Sequence, residues 1–159
     1  MRNIRIITVG KLKEKYLTQG CEEYLKRLAL YARVQVFELD ESRLPERPSQ
    51  GQIDAALAAE GEKILDKAKG SALVALCVEG DLFASEQLAA KLDALEVGGS
   101  SAISFVIGSS FGLAEVVKQS AAVRLSFSRM TFPHQLMRVI LAEQVYRAFM
   151  INSGSTYHK

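Results

Sequence analysis

The chain has 159 residues, 48% of them hydrophobic and 24% charged, with a formal net charge of +2. This composition is that of one globular domain over residues 1–159, and no apolar run reaches the length that spans a membrane. The start, MRNIRIITVGK, lacks the features of a secretion signal, so we expect a cytoplasmic protein. The cysteines, Cys21 and Cys77, show no CxxC spacing, which leaves a metal or redox centre without support and predicts buried thiols.

Charge is distributed unevenly along the chain. Residues 123–159 carry +4 and residues 1–122 carry −2, although the first segment, RNIRIITVGKLKEK, is itself basic. Both ends are therefore positive and the middle is acidic. This distribution suits a binding patch for a polyanion, and an ordinary solvated surface explains it nearly as well.

The first half of the chain alternates between strand and helix patterns. A strand is predicted at NIRIITVG, and a helix follows because apolar residues recur at spacings of three and four over residues 17–31. RVQVFEL predicts a second strand, and DESRLPERPSQG, with two prolines, predicts a surface loop. Residues 53–68 have a helical period that Gly70 ends.

The second half continues the alternation. Buried strands are predicted at ALVALCV and AISFVI, with the helix SEQLAAKLDAL between them. The turn GSSFG and a short helix follow, then a strand at AVRLSFS and a long helix at PHQLMRVILAEQVYRAFM. Alternation without repeats predicts one α/β domain with a largely parallel sheet, whose ligands bind at the carboxyl ends of strands. Three predicted ends carry glycine or polar residues, at 79–81, 108–112 and 126–128.

The last helix changes its apolar face halfway along its length. A helix that packs only on its own sheet keeps one apolar stripe. The change therefore indicates two packing partners, either a second subunit or burial on both sides within one domain. Glu143 and Arg147 form an i,i+4 pair in the favourable order. The first apolar group is Leu136, Met137, Val139 and Ile140, and the second is Leu141, Val145, Ala148 and Phe149.

The turn GSSFG matches the G-x-S-x-G pattern of a hydrolase nucleophile at Ser110. That reaction needs a later acid and histidine, yet the only acids that follow, Glu115 and Glu143, lie on predicted helices. Phosphate-loop and dinucleotide patterns are absent as well. A serine hydrolase is therefore the weaker interpretation, and a glycine turn that approaches a ligand closely is favoured. His134, beside Pro133, is interpreted as a solvent-facing or capping residue.

Taken together, several segments resemble one family. FVIGSSFGL, LSFSRMTFPHQLMRVILAEQVYRAF and the terminal YHK are similar to the RlmH family of SPOUT-class methyltransferases, as is TVGKLKEKY near the start. The resemblance spans essentially the whole chain. It implies a SPOUT-type α/β fold with a C-terminal trefoil knot. It also implies a homodimer that transfers methyl from S-adenosyl-L-methionine to N3 of a pseudouridine, in helix 69 of 23S rRNA in the assembled ribosome.

The resemblance also assigns a cofactor pocket, at the strand ends that the sheet pattern indicates for a ligand. The final helix would form much of the dimer interface, and neither a metal nor a membrane is implied. The implied pocket residues are Leu76, Gly108, Phe127, Ser128, Arg129, Met130, Thr131 and Phe132.

The terminal YHK is interpreted as an arm that completes an active site in the same or the partner subunit. The acceptor N3 carries a weakly acidic proton, which must be removed or whose anion must be stabilised. Tyr157 and His158 are the candidate catalytic residues, because a histidine suits proton removal near neutral pH. Arg138 or Lys159 would bind RNA phosphate or the developing charge.

Three positions depart from the family pattern. Ser109 replaces a second glycine, and Cys77 and Asp81 stand where many members carry an acidic residue and a lysine. If residue 109 requires a positive φ, the serine costs about 1 kcal/mol. These departures define a non-enzymatic alternative, a ribosome-binding SPOUT module without catalysis.

Overall fold

The computed structural model describes every residue from Met1 to Lys159. Five strands and five helices alternate, which confirms the α/β class and each predicted element. None of the helices combines the length and apolar character needed to cross a lipid bilayer. The elements are β1 (Arg2–Val9), α1 (Lys15–Leu28), β2 (Ala32–Leu39), α2 (Gln50–Lys67), β3 (Ala72–Leu82), α3 (Ser85–Val97), β4 (Ala102–Ile107), α4 (Glu115–Ser120), β5 (Val123–Ser126) and α5 (His134–Asn152).

The strands form one parallel sheet in the order β2-β1-β4-β3-β5. In the middle of the sheet, Ile6 of β1 lies between Val36 of β2 and Phe105 of β4. Because every strand runs in the same direction, all five carboxyl ends lie along one edge. This edge is where the sequence predicted a ligand.

Helices cover both faces of the sheet. α1, α3 and α5 pack together on one face, while α2 packs with α4 on the other. β4 is therefore buried at every position, as its uninterrupted apolar sequence AISFVI requires. Leu141 belongs to the core on the α5 side and Ile64 to the core on the α2 side.

β3 interrupts its pairing with β5. Leu76 and Asp81 both pair with Leu125, so residues 77–80 leave the ladder before the strand resumes and runs to Leu82. Gly80 permits this path, because a Cβ there would lie 2.8 Å from backbone atoms of Arg124. The sequence prediction ended this strand at Val78, since an excursion followed by renewed pairing leaves no periodic signal.

The two halves of α5 bury different kinds of residue. In the C-terminal half, Leu141 and Val145 are fully buried in the core. In the N-terminal half the buried residue is Arg138, whereas Leu136 is 37% exposed and Val139 and Ile140 are half-buried. The apolar face of the N-terminal half is therefore incompletely covered by the chain's own elements.

Candidate active site at the carboxyl edge of the sheet

A cavity of about 640 Å³ opens where β3, β4 and β5 end. Three segments that are distant in sequence surround it, because parallel strands bring their carboxyl ends together. Lys118 of α4 and Met137 of α5 complete the wall. The segments are the β3 excursion with Leu76 (76–79), the turn after β4 (107–113), and the end of β5 with the loop that follows (125–128 and 130–134).

Most of the predicted cofactor residues lie in the wall of this cavity. Arg129 is the exception, since its side chain is exposed and does not line the wall. Their role as cofactor contacts stays a prediction, but the structure brings them to one place. The lining residues are Leu76, Gly108, Phe127, Ser128, Met130, Thr131 and Phe132.

The turn after β4 depends on its glycines. A Cβ at Gly108 would collide with the carbonyl oxygen of Gly112, and Gly112 itself has a φ of +92°. The Gly112 N–H donates to the Ser109 carbonyl at 2.9 Å, which closes the turn. Ser109 does not have a positive φ; in this chain only glycines do. The backbone strain that a positive φ would have imposed on this serine is therefore absent.

The same turn does not form a hydrolase site. Ser110 is exposed at the cavity, and its hydroxyl has no side-chain hydrogen bond to either histidine or to an acid. A serine nucleophile needs a base within about 3 Å. Ser110 therefore lacks the partner that the weaker interpretation of GSSFG requires.

Short hydrogen-bonded turns shape the loop after β5. The Ser126 hydroxyl donates to the Ser128 carbonyl at 2.9 Å, and the Met130 N–H donates to Ser128 Oγ at 3.0 Å. These local bonds bend the chain past the end of β5. The bend places Thr131 and Phe132 in the cavity wall.

Of the two charged residues in the wall, Lys118 was missed by sequence reasoning, whereas Glu79 belongs to the predicted strand end at 79–81. Lys118 Nζ pairs with the Glu79 carboxylate, and this hydrogen bond holds the pKa of Glu79 below its ordinary value. The pair joins the β3 excursion to α4 across the cavity. Lys118 follows the glycine turn by only a few residues, but nothing in a six-residue helix indicates which side faces a ligand.

His134 also lines the cavity, contrary to the interpretation of it as a solvent-facing or capping residue. Pro133 takes the N-cap position and His134 begins α5, one residue later than the sequence suggested. The half-buried His134 is therefore a wall residue.

The two cysteines lie in different surroundings. Cys21 is buried as predicted, whereas Cys77 is only half-buried and lines the cavity. Burial raises the pKa of both thiols above the ordinary value, so both favour the neutral form. No three His, Cys, Asp or Glu side chains lie together in the arrangement that a metal ion needs.

The C-terminal arm, residues 153–159, folds back on the second half of α5. The Tyr157 hydroxyl donates to Glu143 Oε1 at 3.1 Å, its ring meets that of Tyr146 edge-on at 4.9 Å, and Arg147 lies 4.8 Å from the ring centre. Burial, followed by the negative charge of Glu143, raises the pKa of Tyr157. The phenol therefore stays protonated at neutral pH and acts as a donor.

His158 lies between Arg147 and Glu86. Its Nδ1 is 3.0 Å from Arg147 Nη1 and its Nε2 contacts the Glu86 carboxylate. Because a guanidinium only donates, Nδ1 accepts and Nε2 carries the proton. The hydrogen bond from His158 lowers the pKa of Glu86. The predicted Glu143–Arg147 pair is present at 2.6 Å and supports this arrangement.

Within one chain, the arm and the cavity are separate. None of Tyr157, His158 and Lys159 lines the cavity. At 1.5 Å per helical residue, Arg147, which holds the arm, lies roughly 20 Å along α5 from His134 in the cavity wall. Lys159 is exposed and forms no ion pair.

Arg138, the other predicted RNA contact, is 6% exposed. Its guanidinium donates to the Glu38 carboxylate and to the Gly10 carbonyl. In this conformation it does not present the guanidinium to a phosphate. Its side chain connects α5 to the carboxyl ends of β1 and β2.

Comparison with known proteins gives a consistent result. A family described as "Predicted SPOUT methyltransferase" matches residues 2–158. Over 158 residues, the chain is 51% identical to ribosomal RNA large subunit methyltransferase H of Leuconostoc mesenteroides subsp. mesenteroides, and 53% identical to the protein of that name from Bacillus pumilus. Each match covers 99% of both chains. The solved structure of a probable methylase family protein from Haemophilus influenzae Rd KW20 aligns with a TM-score of 0.57 at 13% identity, covering 99% of this chain and 71% of that one.

Proposed function

The chain belongs to the SPOUT methyltransferases, in the family of ribosomal RNA large subunit methyltransferase H, and from this premise we propose that it methylates large-subunit ribosomal RNA. The relatives carry that activity in their names and match this chain over nearly its full length. The observation that carries the proposal is the single cavity at the carboxyl ends of β3, β4 and β5, which gathers the residues expected for a cofactor.

S-Adenosylmethionine is the proposed methyl donor, and the cavity fits it. Leu76, Leu125 and Phe132 offer apolar surface for a purine ring, and strand-end backbone groups offer hydrogen bonds to its polar edge. Gly108 leaves room that any Cβ would fill. The opposite charges of Lys118 and Glu79 match the carboxylate and ammonium of an amino-acid moiety. When bound, the cofactor supplies a methyl group attached to a positively charged sulfur.

The finer proposal is that the acceptor is N3 of a pseudouridine in helix 69 of 23S rRNA, in the assembled ribosome. It rests on the resemblance of residues 125–149 and of the terminal YHK to the family. His158 is the proposed base, because a histidine suits proton removal near neutral pH. Its Nδ1 accepts from Arg147 in this chain, so the imidazole would have to leave Arg147 to take the proton. Tyr157 is the proposed donor to the oxygen that gains negative charge, because its raised pKa keeps the phenol protonated.

We also propose a homodimer, which the separation of arm and cavity within one chain supports. The arm of one chain lies along the second half of its own α5, away from its own cavity. We propose that it completes the cavity of a second subunit. The partly exposed Leu136, with the half-buried Val139 and Ile140, supplies an apolar surface for that contact.

Other features belong to the same proposal. Residues 1–159 form a single domain that acts in the cytoplasm and needs no metal or membrane. A trefoil knot is expected near the C-terminus from the resemblance to the family. Lys159, exposed at the end of the arm, is the proposed phosphate contact.

The test is transfer of labelled methyl from S-adenosylmethionine to ribosomes that lack the modification, followed by nucleoside analysis of the rRNA. Label in N3-methylpseudouridine is expected, with His158→Gln as the matched variant that loses it. Cofactor binding without label would mean that the substrate is wrong.

The non-catalytic module remains the second candidate, because Cys77 and Asp81 still depart from the family pattern. Backbone strain at Ser109 would have supported this alternative, but Ser109 has no positive φ and that strain is absent. Absence of both cofactor binding and transfer would favour it. A fluorophosphonate probe should leave Ser110 unlabelled, since that serine has no base.

A further inference from the structure

The segment between β1 and α1 carries three lysines that the proposed mechanism does not use. Lys11, Lys13 and Lys15 are exposed, and none of them forms an ion pair. We propose that these lysines, called here the lysine loop, bind rRNA phosphates beside the cofactor cavity, and that Arg138 positions the loop from inside. The proposal rests on the proposed function in taking rRNA as the substrate.

Arg138 fixes the backbone on both sides of Lys11. Its guanidinium donates to the carbonyl of Gly10 and to the carboxylate of Glu38. Glu38 Oε2 in turn accepts from the Leu12 N–H at 3.2 Å. The Gly10 carbonyl is therefore held by Arg138 directly, and the Leu12 N–H is held through Glu38. Arg138 itself is almost fully buried.

The protonation state of Glu38 agrees with this role. Partial burial acts to raise its pKa, but the hydrogen bonds from Arg138 and Leu12, and the charges of Arg138 and Lys11, bring the pKa below its ordinary value. The carboxylate is therefore charged throughout the neutral range. It holds the loop by accepting hydrogen bonds, while the lysine ammonium groups stay free.

The lysine loop lies at the same edge of the sheet as the cavity. The Lys13 N–H donates to Gln135 Oε1 at 3.4 Å, and Gln135 follows His134, which lines the cavity wall. Along the sheet, Thr8 of β1 pairs with Ile107 of β4, the residue before Gly108. Both connections place the loop next to the turn and to the first turn of α5.

RNA phosphate is the ligand that fits this position. A nucleotide whose base enters the cavity carries phosphate groups on both sides, and lysines at the rim neutralise such groups without reading sequence. Glu14 and Glu41 lie close to the loop and offset part of its charge. The net positive charge around the loop is therefore small. A small charge suits a contact that helps to position the ribosome without supplying most of the binding energy.

The direct test compares two triple variants with equal loss of charge. Lys11→Ala/Lys13→Ala/Lys15→Ala removes the loop cations, and Lys63→Ala/Lys69→Ala/Lys91→Ala removes exposed, unpaired lysines on α2, after α2 and on α3. Co-sedimentation with ribosomes at several salt concentrations gives affinity and its salt slope, and titration gives cofactor affinity.

We expect the loop variant to bind ribosomes about tenfold or more weakly, with a salt slope lower by about one for each lost contact. Its cofactor affinity and kcat should match the wild type, as should every property of the control. Equal ribosome affinity and slope in both variants would overturn the proposal. Since co-sedimentation needs no turnover, this outcome differs from failure of the wild type to methylate ribosomes.

The positioning role of Arg138 is tested by non-additivity. Arg138→Met keeps an apolar stem but cannot hold Gly10 and Glu38. We expect a raised KM for ribosomes with unchanged cofactor affinity, and little further loss when the three loop changes are added. Fully additive losses would show that Arg138 does not act through the loop.

Discussion

The cavity at the carboxyl edge of the sheet and the C-terminal arm are built in different ways. The cavity depends on backbone that approaches backbone, at Gly80 against β5 and at Gly108 against Gly112. The arm depends on side chains, with Tyr157 on Glu143 and His158 between Arg147 and Glu86. A side chain added at either glycine would force the backbone to move, whereas a substitution in the arm would remove side-chain hydrogen bonds and leave the backbone in place.

Under the proposed function, this difference predicts that cofactor binding and methyl transfer can be altered separately. The cavity belongs to the sheet and forms within one chain. The arm lies outside the cavity of its own chain, so it can be altered without disturbing the strand ends. Substitutions in one of these regions should therefore leave the property assigned to the other region unchanged.

Removal of residues 157–159 gives the largest expected effect. Transfer should fall by about 10³-fold or more, because the proposed base and donor are both lost, while cofactor affinity stays unchanged. Labelled-methyl transfer and cofactor titration measure the two properties. Lys159→Ala, which removes only the proposed phosphate contact and keeps Tyr157 and His158, should weaken ribosome binding but keep kcat. Near-normal transfer by the truncated chain would remove the arm from the mechanism.

Gly108→Ala is the corresponding change in the cavity. The new Cβ meets the Gly112 carbonyl, so the turn must move, and cofactor affinity should fall by about 100-fold. Gly99→Ala is the control, because Gly99 also has a positive φ but open space around it. It should lose about 1–2 kcal/mol of unfolding free energy and no cofactor affinity. Unchanged binding by Gly108→Ala would contradict the assigned site.

Tyr157→Phe should reduce kcat by about tenfold with no change in cofactor affinity. The pKa of Tyr157 is raised, so its hydroxyl is protonated below the ordinary value of 10.0, and its contribution is lost only as pH rises through the raised pKa. The ratio of wild-type to variant kcat should therefore be constant from about pH 7 to about pH 9. A ratio that changes with a neutral pKa would make Tyr157 a base.

Ser109→Gly has the smallest expected effect. Because Ser109 has no positive φ, glycine relieves no strain there and adds freedom to the unfolded chain. The free energy of unfolding should fall by about 0.5–1 kcal/mol, with cofactor affinity unchanged. A gain in affinity, measured by the same titration, would revive the view that this serine impairs the site.

Sequence periodicity was sufficient for the type and order of the strands and helices. The continuous apolar run AISFVI predicted a strand covered on both faces, and every residue of β4 is buried. The cofactor residues came from the family resemblance, and their common location follows because parallel strands end at one edge. The buried strand was inferred from local sequence, whereas the pocket residues were inferred from the resemblance and only their shared edge from the rules of parallel sheets.

The contacts that sequence could not predict are those between distant residues. Arg138 was expected to bind RNA phosphate or the developing charge, whereas its observed partner, Glu38, lies 100 residues away in the sequence. The β3 excursion depends on how closely Gly80 approaches Arg124, which no pattern in ALVALCV indicates. The Glu79–Lys118 pair likewise needs the excursion to exist first.

The central pairing of β1 with β4 has a consequence for synthesis of the chain. Asn3 pairs with Ala102, so one side of β1 has no partner until about 100 further residues have been made. At about 5–20 residues per second, that interval lasts roughly 5–20 s. During it, the buried residues Ile4 and Ile6 belong to a strand with an open edge, a template for unwanted pairing. The nascent chain is therefore most prone to aggregation before β4 leaves the ribosome.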